Sequence, residues 1–126
     1  MMEEKQFAEL VNQAVNRLPH EFINKLSNVD VVIQDFPTRY QMRKAKCKRG
    51  IILLGLYEGV PLTARSQYYN MVLPDKITIF KNPIEEVCKT EAEIITEVQQ
   101  VIIHAIAHHF GISDARLDQI GHHKDN

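Results

Sequence analysis

Residues 91–110 constrain this chain more than any other stretch. Thr90 and Glu93 have the Thr-x-x-Glu spacing of a capping box, in which two side chains satisfy backbone N–H groups at a helix start. Ile94, Ile95, Val98, Val101, Ile102, Ile106 and Phe110 follow at helical intervals. Gly111 then supplies a residue that tolerates positive φ, where such a helix has to stop. The apolar positions cover more than one stripe, so the spacing predicts a helix buried along most of its length.

That helix carries His104 and His108, four residues apart and therefore on one face, one turn apart. Taken into the interior with the helix, each imidazole needs a partner. Backbone carbonyls are one solution and a shared metal is another. Gly111 and Asp114 tip the reading to the metal. The chain turns at Gly111, and Asp114 lies where its carboxylate can be aimed at the same point. An Asp in the first turn of a short helix is also favoured by the helix dipole. As the third member of this set, Asp114 reads as a ligand. Two His and a carboxylate, with a fourth position open, are the ligand set of a catalytic zinc site holding one ion. His109 points about 100° away from His108 on a helix and reads as a supporting or exposed group. His122 and His123 read as tail residues.

One position departs from the expected pattern. In H-E-x-x-H, the residue after the first His is the Glu that serves as general base. Here it is Ala105. Loss of such a group costs about 10²–10⁴-fold in rate. Ala leaves the ligands undisturbed and is an excellent helix former. The expectation is a chain that binds zinc and hydrolyses poorly.

Upstream, Phe7, Leu10, Val11, Ala14, Val15 and Leu18 form one helical stripe, closed by Pro19. Residues 20–26 read as a shorter helix with Phe22, Ile23 and Leu26 inward. Residues 29–34 and 77–80 are β-branched and read as strands. Residues 51–57 are a nearly continuous apolar run that suits a strand covered on both faces. Residues 38–50 read as polar and irregular, 62–73 as a loop or weak helix, and 83–88 as a turn or two of helix. Ser113 is placed to cap a last short helix.

Arg43, Lys44, Lys46, Lys48 and Arg49 place five cations in seven residues. A solvated loop is the preferred reading, with nucleic acid as the alternative, since a net charge of -1 gives the whole chain no pull toward polyanions. Tyr57, Tyr68 and Tyr69 could each offer a hydroxyl to a reacting oxygen, but packing is the plainer account. Cys47 and Cys88 have no site-like spacing, and two isolated cysteines fit a reducing, cytoplasmic setting. The length of 126 residues suits a single domain over 1–126, and no apolar run reaches the ~20 residues of a membrane span.

The chain resembles the minimal zincin-like metallopeptidases of bacteria, which carry H-E-x-x-H-x-x-G-x-x-D. The resemblance is carried by His108-His109-Phe110-Gly111-Ile112-Ser113-Asp114 and supported by Leu54-Gly55-Leu56-Tyr57-Glu58-Gly59 and Pro74-Asp75-Lys76-Ile77-Thr78-Ile79-Phe80. It implies an α+β fold with a small mixed sheet packed on the long ligand helix. It implies His104, His108 and Asp114 as zinc ligands, a peptide or protein substrate, and residue 105 as the base position. Ala105 is then either a replacement that silences an otherwise intact enzyme, the favoured reading, or the natural residue of a catalytically silent, zinc-containing binding relative.

Overall fold

A computed structural model describes residues 2–46, 52–59 and 75–111. Within them, helices α1 (Glu4–Asn16) and α2 (His20–Lys25) lead into strand β1 (Val29–Gln34) and helix α3 (Arg39–Lys44). Strands β2 (Gly55–Glu58) and β3 (Asp75–Phe80) follow, then α4 (Lys81–Val87) and α5 (Glu91–Phe110). The sheet has the order β1-β3-β2, with β1 parallel and β2 antiparallel to β3. The architecture is α+β, with a small mixed sheet and a long helix laid on one face.

The register decides which side chains meet that helix. Gly55 pairs with Ile79 and Tyr57 with Ile77, while β1 sets Val31 beside Ile77 and Ile33 beside Ile79. Ile77 and Ile79 are fully buried and join Ile94, Val98, Ile102 and Ile106 of α5 in the core. From α1, Phe7, Leu10, Val11 and Ala14 close the core from the far side of α5. Buried Gln99 is satisfied there, its Nε2 donating to the Ala14 carbonyl at 3.1 Å. Lys81 is buried as well, paired with Glu85 at 3.3 Å one helical turn away.

The opposite face of the sheet carries α3, where the sequence suggested irregular chain. Thr38 starts it: its Oγ1 accepts from Gln41 N at 3.0 Å, and Gln41 Oε1 accepts from Thr38 N at 2.9 Å. Gln41 turns inward, exchanging hydrogen bonds with Gln34 of β1 and donating to Glu58 of β2 at 3.2 Å. The run 51–57 also differs from expectation. Its strand begins only at Gly55 and is a sheet edge, half-buried throughout, and Ile52 is half-exposed. The readings for 62–73 and for the short helix after Ser113 lie outside the described residues. No described helix is long and apolar enough to cross a membrane.

Candidate metal and peptide site

Helix α5 has the expected bounds and half of the expected capping box, the Glu93 carboxylate accepting from the Thr90 hydroxyl. Thr90 Oγ1 accepts from Glu93 N at 3.1 Å, and Gly111 ends the helix in the left-handed conformation at φ 69°. The histidines are not carried into the interior, contrary to the sequence expectation: His104, His108 and His109 are all exposed. The reason is angular. At about 100° per residue, His104 lies about 200° from both Ile102 and Ile106, so the stripe that buries the helix turns the histidines outward. They face a cleft instead.

The cleft has a volume of about 660 Å³ and is walled by Glu97, Gln100, Val101, His104, Ala105, His108 and His109 of α5. Its other wall is the chain from Leu53 to Tyr57 with Gly59, and Lys44 and Ala45 at the end of α3 also line it. Helix and strand run the same way along it. A methyl group at Gly55 would lie 2.2 Å from Val101 Cγ1, and one at Gly59 would lie 3.9 Å from His109 Cε1. Four strand steps cover about 13 Å and eight helical steps about 12 Å, so the two walls keep pace. Gly55 thus sets how closely the histidine-bearing helix approaches the edge strand. Among the described residues, the outer edge of β2 carries no partner strand.

His104 is oriented for a ligand. Its Nδ1 lies 2.8 Å from the Gln100 carbonyl oxygen. A carbonyl only accepts, so Nδ1 is the donor here, and Nε2 is the nitrogen left to meet a ligand. Metal-bound histidines are commonly held by such a second hydrogen bond. Asp114 lies outside the described residues, as do His122, His123, Tyr68, Tyr69, Cys47, Lys48 and Arg49. Among the described residues no group of three His, Cys, Asp or Glu side chains could hold a metal. Two imidazoles on one cleft wall are donors of the kind a zinc ion takes, and among the described residues they are two of the three protein ligands a catalytic site needs.

His109 and Tyr57 hold positions that spacing alone did not reveal. Their rings stack at 4.0 Å and 17°, and Phe110 meets His109 edge-on at 5.0 Å. The Tyr57 hydroxyl donates to Asp75 Oδ2 at 2.7 Å, and His109 Nε2 lies 3.9 Å from the same oxygen. The last turn of α5 is thereby fastened to β2 and β3 beside His108. Only the sheet register brings residues 57 and 75 together, which is why sequence spacing was silent. Cys88 sits away from this cleft. Its thiol is pushed up, first by burial and then by the negative charges of Glu97 and Glu93.

The sequence profile of the zincin-like metallopeptidases matches residues 26–123, and the chain belongs to that family. A solved structure described as a conserved hypothetical protein from Thermo thermophilus has a similar fold. The two are 21% identical over 86% of this chain and 94% of the other, with a TM-score of 0.54. No curated protein matches.

Proposed function

We propose that this chain is a metallopeptidase scaffold that holds one zinc ion through His104, His108 and Asp114 and takes a peptide into the cleft, with hydrolysis suppressed by Ala105. The supporting observation is that His104, Ala105, His108 and the edge strand β2 line a single cleft. When bound, zinc supplies Lewis acidity to a peptide carbonyl and to water. The remaining work falls to the chain. Among the described residues the outer edge of β2 is unpaired, and backbone N–H and C=O groups there suit an extended peptide. His104 keeps Nε2 turned from its own backbone by the Gln100 hydrogen bond. At the base position, the Ala105 methyl accepts no proton, and a Glu there would. The second reading, a catalytically silent zinc-containing module that holds a peptide or protein partner, is favoured by Ala105 itself.

The test starts with elemental analysis of protein purified without a metal-binding tag. About one zinc per chain, lost in His108→Ala, is the expected result. Ala105→Glu should then gain peptidase activity that chelators abolish. Absence of metal after zinc is offered overturns the scaffold reading. A zinc-loaded Ala105→Glu variant that stays inert on a broad peptide library leaves the binding module in its place.

A further inference from the structure

The cleft has two chemically unlike sides. An extended peptide on the outer edge of β2 points alternate side chains to opposite faces of the sheet. On one face is α5 with its histidines. On the other is the end of α3, whose Lys44 and Ala45 line the same cleft. Helix α3 and the turn that follows it are cationic: Arg39, Arg43 and Lys44 of the helix and Lys46 beyond it are all exposed. Against them stands Glu58, 3.7 Å from the Lys44 ammonium and already accepting from Gln41. Arg39, Arg43 and Lys46 make no ion pair among the described residues. This local excess of positive charge stands out in a chain whose net charge is -1.

We propose that the α3 side of the cleft selects acidic peptides, with Lys44, Arg43 and Lys46 engaging Asp or Glu side chains that alternate with those facing the histidines. The proposal rests on the reading of the cleft as a peptide site. Two features set a peptide apart from a nucleic acid as occupant. The cations border a strand edge whose hydrogen-bonding groups suit a polypeptide backbone. The far end of the cleft is lined by Glu97, which repels a continuous polyphosphate. Half-exposed charge pairs are individually weak and screened by salt, so the preference should come from several cations together.

The chain as it stands suits the test, because Ala105 should let it hold a peptide without cutting it. Zinc-loaded protein is titrated with fluorescent positional-scanning libraries of extended peptides, Glu against Gln at each position, read by anisotropy. Expected is a Glu preference of about fivefold or more at alternate positions, shrinking above about 0.15 M salt. Neutralising Arg43, Lys44 and Lys46 to Gln should remove the preference of Glu over Gln peptides. Melting curves establish that the variants fold. The proposal is overturned by absence of peptide binding, by equal binding of Glu and Gln, by a preference that survives neutralisation, or by a single-stranded oligonucleotide that binds more tightly and displaces the peptide. Zinc content is measured on the same sample. A metal-free chain that keeps a Lys44-dependent Glu preference defeats the zinc assignment alone, and a zinc-loaded chain without the preference defeats this proposal alone.

Discussion

Gly55→Ala should damage this protein more than so small a change normally does. A methyl group there would lie 2.2 Å from Val101 Cγ1 and 3.0 Å from the Thr78 carbonyl oxygen. Carbon atoms in contact sit about 3.5–4.0 Å apart, so the first overlap exceeds about 1 Å. Val101 yields poorly, because a β-branched side chain in a helix has one strongly preferred rotamer. The Thr78 carbonyl belongs to the central strand and has no freedom to swing away. Overpacking of this kind costs about 1–3 kcal/mol. Losing the flexibility of glycine in the unfolded chain offsets about 0.4–1 kcal/mol. The net expectation is a loss of about 1–2 kcal/mol. With a urea m-value of about 2 kcal/mol per molar, the midpoint should fall by about 0.5–1 M at unchanged slope. The partner variant Val101→Ala removes the clashing methyl, so the double variant should be less destabilised than the sum of the singles by about 1 kcal/mol. Urea unfolding of the four proteins measures this. A Gly55→Ala protein as stable as the parent, or strict additivity with Val101→Ala, would refute the argument that Gly55 sets the spacing of helix and edge strand.

Two further outcomes are expected. Thr38→Ala removes the hydroxyl that caps α3 at 3.0 Å and should cost about 1 kcal/mol in the same unfolding assay, whereas an unchanged midpoint would show that Gln41 alone holds the helix start. In a Cys47→Ser background, Cys88 should be alkylated more slowly than a free cysteine at about pH 8, because a raised pKa leaves less thiolate at any pH below it, and a rate equal to that of the free thiol would contradict the effect of burial, Glu97 and Glu93.

What the sequence disclosed follows the range of its physical signals. The long helix was legible from its Thr90 cap to its Gly111 stop, because cap chemistry and periodicity are local. So was β1, whose β-branched run matches its bounds in the structure. Helix α3 carried an equally local signal, the Thr38-x-x-Gln41 box, which was hidden by the polar residues that follow it. The outward placement of the histidines was also implicit, since their angle to the isoleucine stripe follows from helical geometry alone. Counting apolar positions suggested burial all round, but the stripe they form leaves the histidine face free. The fastening of Tyr57, Asp75 and His109 was a different matter. It depends on the pairing of β2 with β3, which lies in no single stretch of chain. The same holds for the shared cleft: Lys44 and His104 line it from different elements, and only the assembled sheet shows it.

The hydrogen bond from Gln99 to Ala14 joins residues 85 positions apart in sequence. On a ribosome, α1 emerges early with its apolar stripe exposed and finds its cover only when α5 has been made. The parallel pairing of β1 with β3 likewise waits for residues 75–80. The cleft therefore forms only after its α5 wall has been made. A nascent chain that already shows its cationic α3 has neither histidine wall nor edge strand, so any peptide recognition by the cleft is deferred until α5 has been made.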